Sequence, residues 1–190
     1  MRLPSLALGR FPPPIDLKLA FLVSAFPAAV WSWIIFIYDL PSFLRSLRVS
    51  QIISIFAYVQ VVSLIESILL FALVTLLAVL LPRRLFLSNY ISQVFLLVFT
   101  LAFWAIGIHL YHEQVAMGRF TNNPALPYYW TAVWFVVFFA LSILARFSSR
   151  LNAFLLAVVD RLAFVSSVYL VFALVSVPVV IFRNLVLAVS

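Results

Sequence analysis

Long apolar runs, separated by short charged or turn-forming segments, dominate the pattern along the chain. A helix needs about 20 consecutive, mostly apolar residues to cross the hydrocarbon core of a bilayer. Runs of about this length or longer predict five transmembrane helices, at residues 19–38, 52–81, 85–111, 128–144 and 162–182. Because the apolarity is continuous within each run, the pattern predicts an all-α, polytopic membrane protein built as a helix bundle.

The segments before and after the first apolar run predict further structure. Residues 1–18 are rich in proline and predict a cytoplasmic N-terminal segment, followed by a transmembrane domain over residues 19–190. The consecutive prolines at 12–14 favour a stiff polyproline II conformation before the first helix. Residues 40–49 place apolar and arginine side chains at helical spacing, which predicts a short helix on the membrane surface.

Composition supports a membrane protein and excludes several other classes. Of the 190 residues, 67% are hydrophobic and 9% are charged, whereas soluble domains average roughly 45–50% apolar and about 25% charged residues. The chain therefore lacks the polar surface that a water-soluble enzyme, a nucleic-acid-binding domain or a disordered chain needs. It has no cysteine and 3 glycines, which excludes thiolate chemistry, cysteine-ligated metal sites and glycine-rich phosphate loops.

The basic residues predict an orientation. The net charge is +7, and the basic residues are scattered between the apolar runs rather than gathered in a nucleic-acid-binding patch. Lys and Arg accumulate in cytoplasmic loops, where they meet anionic lipid headgroups. With the N-terminus inside, eight of them lie inside and four outside, namely Arg2, Arg10, Lys18, Arg83, Arg84, Arg146, Arg150 and Arg161 against Arg45, Arg48, Arg119 and Arg183. The count predicts an N-inside, C-outside protein of a bacterial cytoplasmic (inner) membrane, with no nucleic-acid partner.

Glu66 is the most informative polar residue because it lies well inside the second apolar run. An ionisable side chain at that depth costs at least about 2.5–3.5 kcal/mol on insertion scales. Gln60, Ser63 and Ser67 share one face of the predicted helix, and Glu66 lies at its edge. This polar stripe is expected to face the bundle interior or a wet cavity. It is either a helix–helix hydrogen-bond clamp or a protonatable, cation-binding group on a transport or catalytic path.

Asp160 and Arg161 form a second candidate cluster, with two possible placements. If the fifth span begins at Leu162, the pair marks the cytoplasmic interface and residues 150–159 lie on the surface; this is the placement that we predict. If the span begins near Arg150, the pair is buried two to three turns deep. Arg161 then reaches the polar stripe and forms a charge cluster with Glu66.

A third candidate cluster lies at the outer end of the third predicted helix. His109, His112 and Glu113 are spaced so that all three can point to one side. Such a set can bind zinc or another divalent metal, and a single His109 can ligate haem or a chlorophyll-type pigment. A closed zinc site needs four ligands, however, and this group offers at most three. The prediction is therefore a polar helix end without a metal or cofactor.

These features predict a non-enzymatic subunit or scaffold of a membrane complex. It packs against other membrane proteins, against copies of itself, or against an apolar ligand. One alternative is an oligomeric proton- or ion-coupled transporter or channel that uses Glu66. The other is an intramembrane lipid-modifying enzyme. The surroundings of Glu66 distinguish the three: a dry helix contact favours the scaffold, a water-filled tunnel favours transport, and a lateral opening beside His109 favours the enzyme.

Overall fold

Five long α-helices make up the chain in the computed structural model, which describes residues 12–80 and 89–189. Each is long and apolar enough to cross a membrane, and no strand occurs among the residues described. The predicted all-α class with five candidate spans is confirmed. The helices are α1 (Pro14–Ser46), α2 (Val49–Leu80), α3 (Tyr90–Ala116), α4 (Leu126–Phe147) and α5 (Ser149–Val189).

Helix α1 is longer than the apolar run that predicted it. Pro13 is extended, with φ −60° and ψ 152°, and Pro14 opens the helix, where the missing N–H of proline costs nothing. At the other end α1 continues through Pro41 to Ser46, and Leu47 turns to an extended conformation before α2. Residues 40–49 are therefore not a separate surface helix. Residues 1–11 of the predicted N-terminal segment, and the predicted span positions 81 and 85–88, lie outside the described residues.

Helix α5 also differs from its predicted boundaries. It is one continuous helix of 41 residues from Ser149, so Leu162 is not a helix start. Leu155 and Val159 are buried in the same core as residues of α1, α2 and α3, so one face of segment 150–159 packs on the bundle, while Ala153 and Ala157 are exposed. At a rise of 1.5 Å per residue α5 is about 60 Å long, roughly twice the hydrocarbon thickness of a bilayer.

The core lies between α1, α2, α3 and α5, while α4 packs mainly on α3. Small or slender side chains fill this core, among them Ala20, Val23, Val74, Val94 and Val98, each 0% exposed. Such residues let helix backbones approach closely, which is the main source of packing energy between helices in an apolar solvent. Of the residues described in α4, only Phe138 and Ala145 are buried, so α4 is the peripheral helix.

Hydrogen bonds near the start and in the middle of α3 connect this helix to α4 and α5. At one end, Ser92 of α3 donates a hydrogen bond of 2.5 Å to Asn152 of α5, and the amide of Gln93 donates to the carbonyl of Ser142. Near the middle of α3, the Trp130 indole of α4 donates to the carbonyl of Trp104. Gly107 makes this contact possible, because a Cβ there would lie 2.8 Å from the Trp130 ring.

Candidate functional site

The polar stripe of α2 divides into a buried part and an exposed part. Gln60, Ser63 and Ser67 are each 0% exposed, and the Ser67 hydroxyl donates to the carbonyl of Ser63 at 2.7 Å. Glu66 is exposed. Successive helical positions differ by about 100°, so Glu66 leaves α2 beside this buried face rather than within it.

Glu66 lines a cleft between α1, α2 and α3, which we call the α1–α2–α3 cleft. Its volume is about 360 Å³, within the range of small-molecule pockets. Glu66 and His109 are the two ionisable side chains on its wall, which is otherwise almost entirely apolar. The cleft is lined by Pro27, Ala28, Trp31, Glu66, Leu70, Val98, Leu101, Ala102, Ala105, Ile106 and His109.

The local sequence explains why the helices leave a cleft here. Ala28 of α1 faces the cleft together with Ala102 and Ala105 of α3, and these short side chains cannot fill the space between the helices. Pro27 is inside α1, and its nitrogen has no hydrogen to donate to the carbonyl one turn earlier, which weakens the helix locally. The small residues and the proline therefore leave room beside Glu66.

His109 approaches the same cleft from α3. Its side chain is exposed, and its ring meets the ring of Trp31 edge to face, with centroids 5.5 Å apart and planes at 86°. Trp31 of α1 thus holds the imidazole against the cleft wall. The structure brings together Glu66 and His109, two residues that the sequence had placed in separate candidate clusters.

This arrangement suits the binding of an amphipathic molecule. A carboxylate accepts hydrogen bonds, and an imidazole can donate or accept them according to its protonation state. An apolar wall with a few convergent polar groups is the usual composition of a small-molecule site. The cleft can therefore hold an apolar body and orient one polar group.

The other members of the predicted histidine cluster lie elsewhere. His112 is exposed, with its Nδ1 3.0 Å from the carbonyl of Ile108, and Glu113 is exposed near the end of α3. Neither residue lines the cleft. Over residues 12–80 and 89–189, the structure contains no group of three or more His, Asp or Glu side chains that could hold a metal ion.

Asp160 and Arg161 do not join Glu66. Both are exposed on α5, and neither has a hydrogen bond or ion pair with another described residue. The charge cluster of Glu66, Asp160 and Arg161, one of the two alternatives from the sequence, is not formed within the chain.

Sequence reasoning missed the polar residues of α5 that face the α2 stripe. Ser166 is 1% exposed and Tyr169 5% exposed, and the Tyr169 hydroxyl faces Ser63 and Ser67. Both amide atoms of Gln60 and the hydroxyl of Ser166 lack a hydrogen-bond partner among the described residues. The available signal was the spacing of three or four residues along α5 that joins Ser166, Tyr169, Ala173 and Ser176 on one face.

No protein-family model, curated protein or solved structure matches this chain.

Proposed function

We propose that this chain is an integral membrane protein that binds a lipid-like ligand in the α1–α2–α3 cleft. The ligand has an apolar body and one group that can donate a hydrogen bond, either a hydroxyl or an ammonium group. The role is that of a non-enzymatic, ligand-binding subunit in the membrane. The observation that carries the proposal is that Glu66 of α2 and His109 of α3 line one otherwise apolar cleft.

The outer surface of the bundle supports insertion in a bilayer. Phe103, Phe147 and Leu174 are 71%, 82% and 63% exposed and belong to a large set of exposed apolar side chains on every helix. Soluble monomers rarely expose contiguous apolar patches of more than a few hundred Å². The eight-to-four distribution of basic residues supports an N-inside, C-outside orientation in a bacterial cytoplasmic membrane with anionic headgroups.

Insertion places Glu66 near the middle of the hydrocarbon layer. It lies 17 residues after the first residue of α2 and 14 before the last, or about 21–26 Å from either end at 1.5 Å per residue. A carboxylate at that depth costs at least about 2.5–3.5 kcal/mol on insertion scales. A donor group on a ligand offsets part of this cost, because hydrogen bonds to charged groups contribute about 1.5–3 kcal/mol.

Substitution of Glu66 tests this proposal. We expect the wild-type protein, extracted from membranes in mild detergent, to carry a ligand of defined mass in native mass spectrometry. Glu66→Leu is expected to lower ligand occupancy by about 10-fold or more, because a hydrogen bond to a charged group is lost. Glu66→Gln keeps an acceptor but removes the charge. A hydroxyl ligand should therefore remain largely bound to this variant, whereas an ammonium ligand should be lost.

The matched control is Glu113→Gln, which alters an exposed carboxylate on α3 that does not line the cleft. It should retain ligand at the wild-type level. Equal occupancy in the wild type and in Glu66→Leu would contradict the proposal, as would a wild-type protein that carries no ligand.

A second candidate function is an intramembrane lipid-modifying enzyme. It is favoured by one observation, an imidazole and a carboxylate exposed on the same open cleft. Such a pair can act as general acid and base. Incubation of the pure protein with bacterial lipid extract distinguishes the two functions. Binding alone predicts no new lipid mass, whereas an enzyme predicts a product that disappears with His109→Gln.

The transporter alternative has less support. A coupled path would continue from Glu66 along the other polar residues of α2, but Gln60, Ser63 and Ser67 are each 0% exposed and tightly enclosed. Their enclosure leaves no open path for ions beyond Glu66, although among the described residues these side chains form no hydrogen bond to another helix.

A further inference from the structure

Helix α5 has a buried face and a charged face. Its buried residues recur every three or four positions and lie on one side of the helix, among them Leu155, Val159, Ala163, Ser166, Tyr169 and Ala173. At 100° per residue, Asp160 and Arg161 leave the helix on the opposite side. We define the α5 charged face by the exposed residues that share this side, Ala153, Ala157, Asp160, Arg161, Phe164 and Val168.

Contacts at both ends of this segment locate the two charges along the bundle. Asn152 is hydrogen-bonded to Ser92 at the start of α3, and Phe172 packs against Trp33 of α1, with ring centroids 5.9 Å apart. Asp160 therefore lies about 12 Å beyond the first contact and about 18 Å before the second, at 1.5 Å per residue. With Glu66 near the middle of the hydrocarbon layer and Tyr169 facing Ser63 and Ser67 beside it, Asp160 lies about 14 Å from the middle, close to the cytoplasmic edge of the layer.

The two charges are open to partners from outside the chain. A charge costs less near the edge of the hydrocarbon layer than at its centre, but neither Asp160 nor Arg161 has a partner among the described residues. Arg161 can extend its long side chain towards the headgroups, but the short side chain of Asp160 cannot. Anionic lipid headgroups can therefore pair with Arg161 but not with the carboxylate of Asp160.

We propose that the α5 charged face pairs with the same face of a second copy of this chain. The argument is charge complementarity, because Asp160 and Arg161 are adjacent and carry opposite charges. In a two-fold symmetric pair, Asp160 of each copy contacts Arg161 of the other copy. One interface therefore forms two Asp160–Arg161 ion pairs. Two copies inserted in the same orientation present parallel α5 helices, which bring these side chains to the same depth.

The remaining residues of the face suit close helix pairing. Ala153 and Ala157 are exposed, small and four residues apart, a spacing that lets two membrane helices approach closely. Beyond the charges, Phe164 and Val168 border an apolar groove of about 470 Å³ between α1 and α5. This groove can receive apolar side chains of the second copy. The inference rests on the membrane placement and does not depend on the ligand of the cleft.

Charge exchange tests the pairing. Two differently tagged copies are co-expressed, and capture of one copy by the other is measured in mild detergent. Wild-type copies should capture each other, whereas Asp160→Arg alone and Arg161→Asp alone place like charges opposite one another and should lower self-capture about 10-fold or more. Co-expression of the Asp160→Arg copy with the Arg161→Asp copy restores complementary charges and should return capture towards the wild-type level.

A cross-linking experiment in membranes keeps the wild-type charges and avoids misfolded variants. The chain has no cysteine, so a single introduced cysteine gives a background-free reaction. Phe164→Cys, on the α5 charged face, should form a disulfide-linked dimer on oxidation. Leu69→Cys is the matched control, since Leu69 is 64% exposed on α2 and should remain monomeric.

Three outcomes would overturn the inference. They are the absence of self-capture by the wild type, a mixed pair of charge variants that captures no better than either variant alone, and equal cross-linking at positions 164 and 69. Ligand occupancy of the cleft is measured in the same samples. Copies that do not pair but keep their ligand contradict the pairing through α5 and leave the proposed function intact. Copies that pair but carry no ligand contradict the proposed function and leave the pairing intact.

Discussion

Ala105→Trp is expected to exclude the ligand from the α1–α2–α3 cleft while the bundle stays folded. Ala105 lines the cleft on α3 and is itself exposed, so a large side chain can enter the cleft without displacing a buried neighbour. An indole in a cleft of about 360 Å³ competes directly with the apolar body of a ligand. Native mass spectrometry should show a loss of ligand of about 10-fold or more, equivalent to about 1.4 kcal/mol of binding energy.

The matched control is Ala140→Trp, which adds the same side chain to an exposed position on α4. This variant should keep the wild-type occupancy. Ligand retained by Ala105→Trp at the level of Ala140→Trp would show that the bound molecule lies outside the cleft.

Tyr169→Ala is expected to cause the largest loss of stability. Tyr169 is 5% exposed and packs in a small core with Ala25, Ala29 and Ala173, whose short side chains cannot expand into the space that a missing ring would leave. Truncation of a buried aromatic residue to alanine costs about 3–5 kcal/mol in well-packed cores. Reversible unfolding of the purified protein in mixed detergent micelles measures this change in free energy.

Tyr169→Phe isolates the hydroxyl, which faces Ser63 and Ser67. We expect a change of about 1 kcal/mol or less in either direction, because the buried hydroxyl has no hydrogen-bond partner among the described residues and a typical single hydrogen bond contributes only about that much. If Tyr169→Ala proved as stable as Tyr169→Phe, the packing of α5 against α1 and α2 described above would be wrong.

The apolar runs predicted the five helices well because spanning length is a local property of the sequence. The ends of the helices were less predictable. An apolar run marks the part of a helix that can lie in the hydrocarbon layer. The backbone hydrogen bonds of the helix can continue beyond that run into polar residues. Helix α5 therefore begins at Ser149 rather than at Leu162. Helix α1 continues to Ser46 even though Pro41, usually a helix breaker, lies inside it.

The candidate residues of the cleft could be found from the sequence, but their proximity could not. Glu66 and His109 each stood out as polar groups in apolar runs. Their place on one cleft depends on the order of helices around the bundle, with Trp31 of α1 beside His109, and no spacing along the chain encodes that order. The spacing of Ser166, Tyr169 and Ser176 marks one face of α5 in the sequence, but it does not reveal that this face meets α2.

Photo-cross-linking tests the central claim, a lipid-like ligand in the α1–α2–α3 cleft, most directly. The probes are a fatty alcohol and a fatty amine that carry a photoreactive group on the alkyl chain, used with the detergent-purified protein. The account predicts labelled peptides from the cleft wall, on α3 between Val98 and Ile106 or on α1 between Pro27 and Trp31, and loss of this label in Ala105→Trp. Label spread evenly over the exposed face of α4, or cleft label unchanged by Ala105→Trp, would contradict it.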